Sequence, residues 1–182
     1  MKRGILKTAL MITVVLMTLC TSVYALTSYR LNGYPHSGKY VYLENLLGDS
    51  YYSQRLDNAM FYWTNSAAHV GIWKSYSSSN DQIVMQNDGS TTVEGVAYPY
   101  DPGDGSTAYY ITINKYSIDK ANTSGTQSYI EGALVHEIGH LFGLDDLKFF
   151  DSHSQIMSYY NDRNLRCTPQ SGDIAGVNSI YP

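Results

Sequence analysis

Hydrophobic and polar positions along the chain follow two periods. Residues 39–43 (K-Y-V-Y-L) alternate at period two and predict a first strand. From about 50 to 68, Tyr52, Leu56, Ala59, Met60, Trp63 and Ala67 recur at three- and four-residue steps, which predicts an amphipathic helix. Two short β-rich runs follow at 70–73 and 82–85. The stretch 89–108 is broken by Pro99, Pro102, Gly103 and Gly105, although 93–98 has strand character. Residues 109–113 (Y-Y-I-T-I) predict another strand. The pattern turns helical over 127–144 and stops at Gly143, and 171–181 predicts a short final helix. Strands and helices mixed in this order predict an α+β fold, an α/β sandwich.

The first 25 residues stand apart. Lys2, Arg3 and Lys7 precede an apolar run at 8–20, and Val23-Tyr24-Ala25 offers a cleavage position, as in a secretory signal peptide. The alternative, an uncleaved anchor, needs about 20 apolar residues to span a bilayer. The expectation is a signal peptide at 1–25 and one exported domain at 26–182. Its upper part runs to about 143 and its lower part from 144 to 182.

Composition narrows the classes. Of 182 residues, 43% are apolar and 15% charged, which excludes disorder and coiled coil. Net charge is −4, and no basic run is longer than Lys2-Arg3, so a nucleic-acid binder is excluded. Signal cleavage removes three of the 12 basic residues and none of the 16 acidic ones, leaving −7. It also removes Cys20, so Cys167 stands alone and no intrachain disulfide forms. Tyrosine is in excess, at 18 residues.

Chemistry concentrates in residues 136–146, H-E-I-G-H-L-F-G-L-D-D. On a helix, His136 and His140 project from one face, one turn apart, so two neutral imidazoles can bind one zinc ion. Glu137 sits about 100° round the helix, where its carboxylate reaches a water on the metal rather than the metal itself. Gly143 can adopt a left-handed conformation and end the helix sharply. The chain then turns back, and Asp146 can approach the same ion. The competing reading is a core helix whose two histidines are satisfied by hydrogen bonds.

This stretch resembles the metzincin zinc-protease motif H-E-x-x-H-x-x-G-x-x-H, with aspartate in place of the third histidine as in snapalysin-like members. Gln155-Ile156-Met157-Ser158-Tyr159 resembles the Met-turn of that clan, in a form most similar to serralysins. The ending 172–181 resembles the last helix of matrixins, and Tyr62-Trp63 and 81–85 also fit a matrixin catalytic domain. The resemblance implies a twisted mixed sheet, an active-site helix and a small C-terminal subdomain. It implies a secreted, monomeric zinc endopeptidase with one catalytic zinc ion. His136, His140 and Asp146 would be the ligands, Glu137 the general base and Met157 a buried floor. By the same resemblance Tyr159 binds the transition state; its plain alternative is one more tyrosine in a tyrosine-rich chain. The rival from another class is a secreted binding module that keeps the fold without turnover.

Aspartate at 146 lowers the net charge of the site by one and so weakens the Lewis acidity of a zinc ion there. Candidates for the third ligand rank as Asp146, then His153, then Asp145. His153 is the better ligand type but lacks the helix-turn placement, and Asp145 is one residue out of register. A glutamate ligand from a later helix is excluded, because no glutamate follows Glu137. Asp151, Asp162 or Asp173 as ligand would leave the Gly143 turn without a purpose. Substrate, an extended peptide or protein segment, is expected along the 109–113 strand as a sheet edge, with 160–166 walling the pocket. Asp101 and Asp104 could hold calcium, a solvated loop being the simpler reading. Asp173 suits the start of the last helix, and His36 and His69 read as surface or packing residues. No stable membrane association is expected once the signal peptide is removed.

Overall fold

The computed structural model describes residues 28–182, so the expected signal peptide lies outside the described residues. The elements are β1 (Tyr40–Leu46), α1 (Ser50–Thr64), β2 (Gly71–Ser75), β3 (Gln82–Gln86), β4 (Gly95–Tyr100), β5 (Ala108–Asn114), α2 (Lys115–Ala121), α3 (Gln127–Leu141) and α4 (Ser171–Ile180). Each element predicted from the periodicity is present, with ends displaced by a few residues. Helix α2 was not predicted. Its sequence, K-Y-S-I-D-K-A, buries only Ser117 and Ile118, too little to leave a visible apolar period.

The five strands form one sheet in the order β2-β1-β3-β5-β4. All neighbours are parallel except β4, which runs antiparallel to β5. The expectation that 109–113 forms a sheet edge is therefore corrected. Strand β5 lies between β3 and β4, with Tyr109, Ile111 and Ile113 fully buried. The edge next to β5 is β4, and it carries Pro99, which has no N–H to contribute to a second ladder.

Both long helices have local start signals. Asp49 caps α1 by accepting from the Tyr51 and Tyr52 amides, and Thr126 caps α3 by accepting from Tyr129. Helix α1 packs on β2 and α3, and α3 crosses β4 and β5. Trp63, Tyr52 and Leu56 of α1 meet Leu134 and Ile138 of α3 and Leu43, Ile72 and Ile111 of the sheet in a single core. Arg55 and Glu131 are also buried between the two helices, 3.5 Å apart. Asn58 and the Tyr62 hydroxyl complete the carboxylate's hydrogen bonds, at 2.6 and 3.0 Å. Among the described residues no helix is long and apolar enough to cross a membrane.

His36 packs rather than binds, as expected. Its Nε2 lies 3.1 Å from Asp81 Oδ2, fastening the segment before β1 to the sheet. Burial opposes its charge, but the Asp81 hydrogen bond and charge outweigh burial and raise its pKa. A raised folded pKa means stability that is fully present below the ordinary histidine value, about 6.5, and lost as pH rises through the folded pKa. The melting-temperature gap between wild type and His36→Gln should therefore be wide at about pH 5 and narrow toward about pH 9. A gap unchanged across that range would refute the pairing.

Candidate active site

The last two turns of α3 carry His136, Glu137 and His140. His136 Nδ1 is 3.0 Å from the Ile156 carbonyl, and His140 Nδ1 is 2.9 Å from the Leu144 carbonyl. A carbonyl only accepts, so each Nδ1 carries the proton and each Nε2 presents a lone pair. Helix α3 ends at Leu141, and Gly143 takes φ 91°, the left-handed turn foreseen for it. Beyond the turn, Asp146 Oδ1 lies 3.1 Å from His136 Nε2 and 3.6 Å from His140 Nε2. Among the described residues these three form the metal-competent cluster, their donor atoms within 4.8 Å of one another.

The chemistry of this donor set tests whether a cation fits. Two imidazole lone pairs and a carboxylate oxygen converge, and Asp146 Oδ1 is buried without a hydrogen-bond partner. Such acceptors repel one another unless a cation lies among them, and two histidines with one carboxylate suit zinc. The backbone carbonyls behind the rings supply the outer support that fixes ring orientation. The residues fit the ion.

Glu137 is buried beside the cluster with Oε2 unpartnered. Burial raises its pKa above the ordinary carboxylate range. Burial also opposes ionisation of Asp146, while the Tyr159 hydroxyl favours it. The Tyr159 hydroxyl donates to Asp146 Oδ2 at 2.6 Å, and its ring is 59% exposed. Burial and Asp146 together push the phenol up.

A cavity of about 330 Å³ opens over these groups, walled by 92–95 on one side and by Tyr159 and Arg163 on the other. Arg163, which lines this cavity, pairs with Glu94 at 3.3 Å. A second hollow of about 390 Å³ runs along β4 toward Asn32 and Tyr34.

Residues 50–182 match the model of the matrixin family. The chain belongs to the matrixin family. It is thus a metzincin-type zinc metallopeptidase domain. It is 29% identical to serralysin C of Dickeya chrysanthemi over 110 residues, 47% of this chain and 23% of that protein. It thus spans under a quarter of that relative's length. The fold is similar to that of myroilysin, with a TM-score of 0.52 at 14% identity over 82% of this chain and 95% of the other. A weaker likeness links it to high choriolytic enzyme 1, a hatching enzyme zinc-protease from Oryzias latipes. There the TM-score is 0.48 at 14% identity over 78% and 88% of the two chains.

Several supports of the matrixin site were not foreseen. A side chain at Gly95 of β4 would put its Cβ 2.7 Å from the Glu137 carboxyl, so glycine makes room for that group. A Cβ at Gly139 would collide with the Met157 sulfur, which explains how the 155–159 turn packs so closely under α3. The segment before β1 straps the Gly143 turn: Asn32 N donates to Gly143 O, Asp145 N donates to Arg30 O, and Asn32 Nδ2 donates to His140 O. Asp173 was expected only to start the last helix. It does so, and it also accepts from Ile156 N at 2.9 Å, Gln170 N at 2.8 Å and Met157 N at 3.3 Å.

Asp173 thus holds the peptide whose carbonyl orients His136. Burial pushes its carboxyl up to about 6 against the pull of those N–H donors. Asp173→Ala should cost about 3 kcal/mol or more, because three backbone N–H groups lose their acceptor. A urea-unfolding midpoint close to that of wild type would contradict this.

The other candidates lie apart from the cluster. His153 Nε2 bonds the Phe149 carbonyl at 2.9 Å, and its ring stacks on Tyr160. Asp145 accepts from the Asp146 amide, Asp151 pairs with Arg30 and Asp162 accepts from the Asn164 amide. Asp101 and Asp104 accept turn amides from Gly103, Gly105 and Ser106 in an exposed loop. His69 is exposed. Burial raises the free Cys167 thiol, which fits an unreactive side chain.

Proposed function

We propose that this matrixin is a secreted zinc-dependent endopeptidase in which His136, His140 and Asp146 hold the metal and Glu137 is the general base. One observation carries the reading: three mutually repelling donor atoms converge beside a buried carboxylate with an unpartnered oxygen, in a cleft along the edge strand β4. When bound, zinc supplies the Lewis acidity that acidifies a water molecule and polarises a scissile carbonyl.

This chain's residues do the rest. An extended peptide lies along β4, pairing with its free main-chain groups. Glu137 takes the proton of the attacking water and passes it to the departing amine nitrogen, and its raised pKa suits both acceptance and release. The Tyr159 hydroxyl leaves Asp146 and donates to the oxygen that gains charge. Met157 closes the floor beneath the histidines and keeps water out. Arg163 and Glu94 bound the pocket that receives the side chain beyond the scissile bond.

Casein or a peptide library tests the activity. The purified chain with one equivalent of zinc should cleave it, lose activity to a chelator and regain it on adding zinc back. No cleavage by zinc-loaded protein would overturn the reading.

A further inference from the structure

Strand β4 forms one bank of the cleft along its whole length, and the opposite bank changes hands. Tyr159 and Arg163 face residues 92–95, and past His140 the bank passes to Asn32 and Tyr34. The two hollows share Gly95, His140, Asp146 and Tyr159. The hollow of about 390 Å³ is therefore the cleft continued beyond the metal-competent cluster.

Strand direction says which half of a substrate lies there. Asn114 N donates to Glu94 O at 2.7 Å, and the register sets the next pair, Gly95, opposite Ile113. Antiparallel ladders alternate, so Val96 and Tyr98 bond β5 while Gly95 and Ala97 turn their main-chain groups to the free edge. Pro99, next in that outward series, has a carbonyl but no N–H. Under the function proposed above, on which this inference rests, the side chain beyond the scissile bond enters the pocket at Arg163. A peptide antiparallel to β4 meets that condition, and its amino side then runs over 96–99, toward Tyr34. Gly95 lies against Glu137, so the peptide residue opposite it adjoins the scissile bond. The residues opposite Val96 and Ala97 are the second and third before that bond. Beyond Ala97 the ladder loses its N–H, and recognition falls to side chains.

Tyr34 has a fixed backbone and an unengaged ring. Its N–H donates to Asn32 Oδ1 at 2.8 Å, and its carbonyl accepts from the Tyr109 hydroxyl. On either side, Asn32 N donates to Gly143 O at 2.9 Å and His36 N to Leu141 O at 3.0 Å. Yet Tyr34 is 63% exposed, and among the described residues its ring meets no other ring and its hydroxyl bonds no other group. A single exposed ring is ordinary; this one walls a hollow continuous with the cleft.

The lining selects the class of side chain. Val93, Ala97, Pro99 and the Tyr34 ring give apolar surface. The carboxylates of Asp145 and Asp146 border the same hollow and repel an acidic side chain. We propose that Tyr34 is a specificity-determining residue, its ring packing on an apolar substrate side chain at the second or third position before the scissile bond.

The zinc-loaded whole protein and its Tyr34→Ala and Tyr34→Phe variants, profiled on a peptide library, test this. Wild type should favour apolar over acidic residues at one of those two positions. On a peptide with leucine there, Tyr34→Ala should lose about tenfold in kcat/KM, chiefly through KM, as loss of uniform binding requires. On the same peptide with glycine at both positions it should match wild type. Tyr34→Phe should behave as wild type on both, and zinc content should be unchanged in all three proteins. Equal losses on the two peptides, an unaltered profile in Tyr34→Ala, a preference for lysine over leucine, or loss of zinc from Tyr34→Ala would each overturn the proposal while leaving the peptidase reading intact. No cleavage of any peptide by wild type would overturn that reading and this inference with it.

Discussion

Glu137→Gln should lower casein turnover by ~10²–10⁴-fold, the usual contribution of a positioned general base, and leave zinc content at the wild-type level. Glutamine keeps the shape of the side chain, so Gly95 still accommodates it and the histidines keep their carbonyl partners. Only the ability to take a proton is lost. The pair of measurements separates this role from a structural one. A variant that loses zinc along with activity would place Glu137 among the groups that hold the ion, and near-wild-type turnover would remove it from the chemistry.

Asp146→Ala should have the second large effect. Losing an outer partner of a metal ligand costs about 10–100-fold in affinity, and losing a ligand itself should exceed that. Two lone pairs would remain, on Nε2 of His136 and His140, and the Tyr159 hydroxyl would lose its acceptor. Competition with a chromogenic chelator gives the affinity directly. His153→Ala is the control, since its ring lies against Phe149 and Tyr160, outside the cluster. Normal zinc binding by Asp146→Ala with loss in His153→Ala would reverse the assignment.

The site was largely legible because its parts are close in sequence. His136, Glu137 and His140 share one helix, Gly143 needs positive φ, and Asp146 follows within one turn of chain, so periodicity and turn chemistry bring them together without tertiary knowledge. The contacts that hold the site depend on long-range packing and left no local signal. Asp173 reaches residues 16 and 17 positions away. Asn32 bonds a carbonyl 108 positions on. Gly95 faces Glu137 only because β4 lies beside α3.

The sheet edge was misread for a related reason. Residues 109–113 look like a strand from their own pattern, but neighbours are set by topology, and the antiparallel β4 was placed outside β5 by the return of the chain. Proline at 99 was the hint that 95–100 is the edge, since a second ladder would need the N–H it lacks. Helix α2 was invisible because seven residues that bury one apolar side chain, Ile118, have no period to detect.

Anomalous diffraction at the zinc edge, from crystals of the full chain grown with zinc, tests the central claim most directly. One strong peak is expected, bounded by Nε2 of His136, Nε2 of His140 and a carboxylate oxygen of Asp146, with Zn–N distances of about 2.0–2.1 Å. A peak held by His153, or no peak among His136, His140 and Asp146, would contradict it.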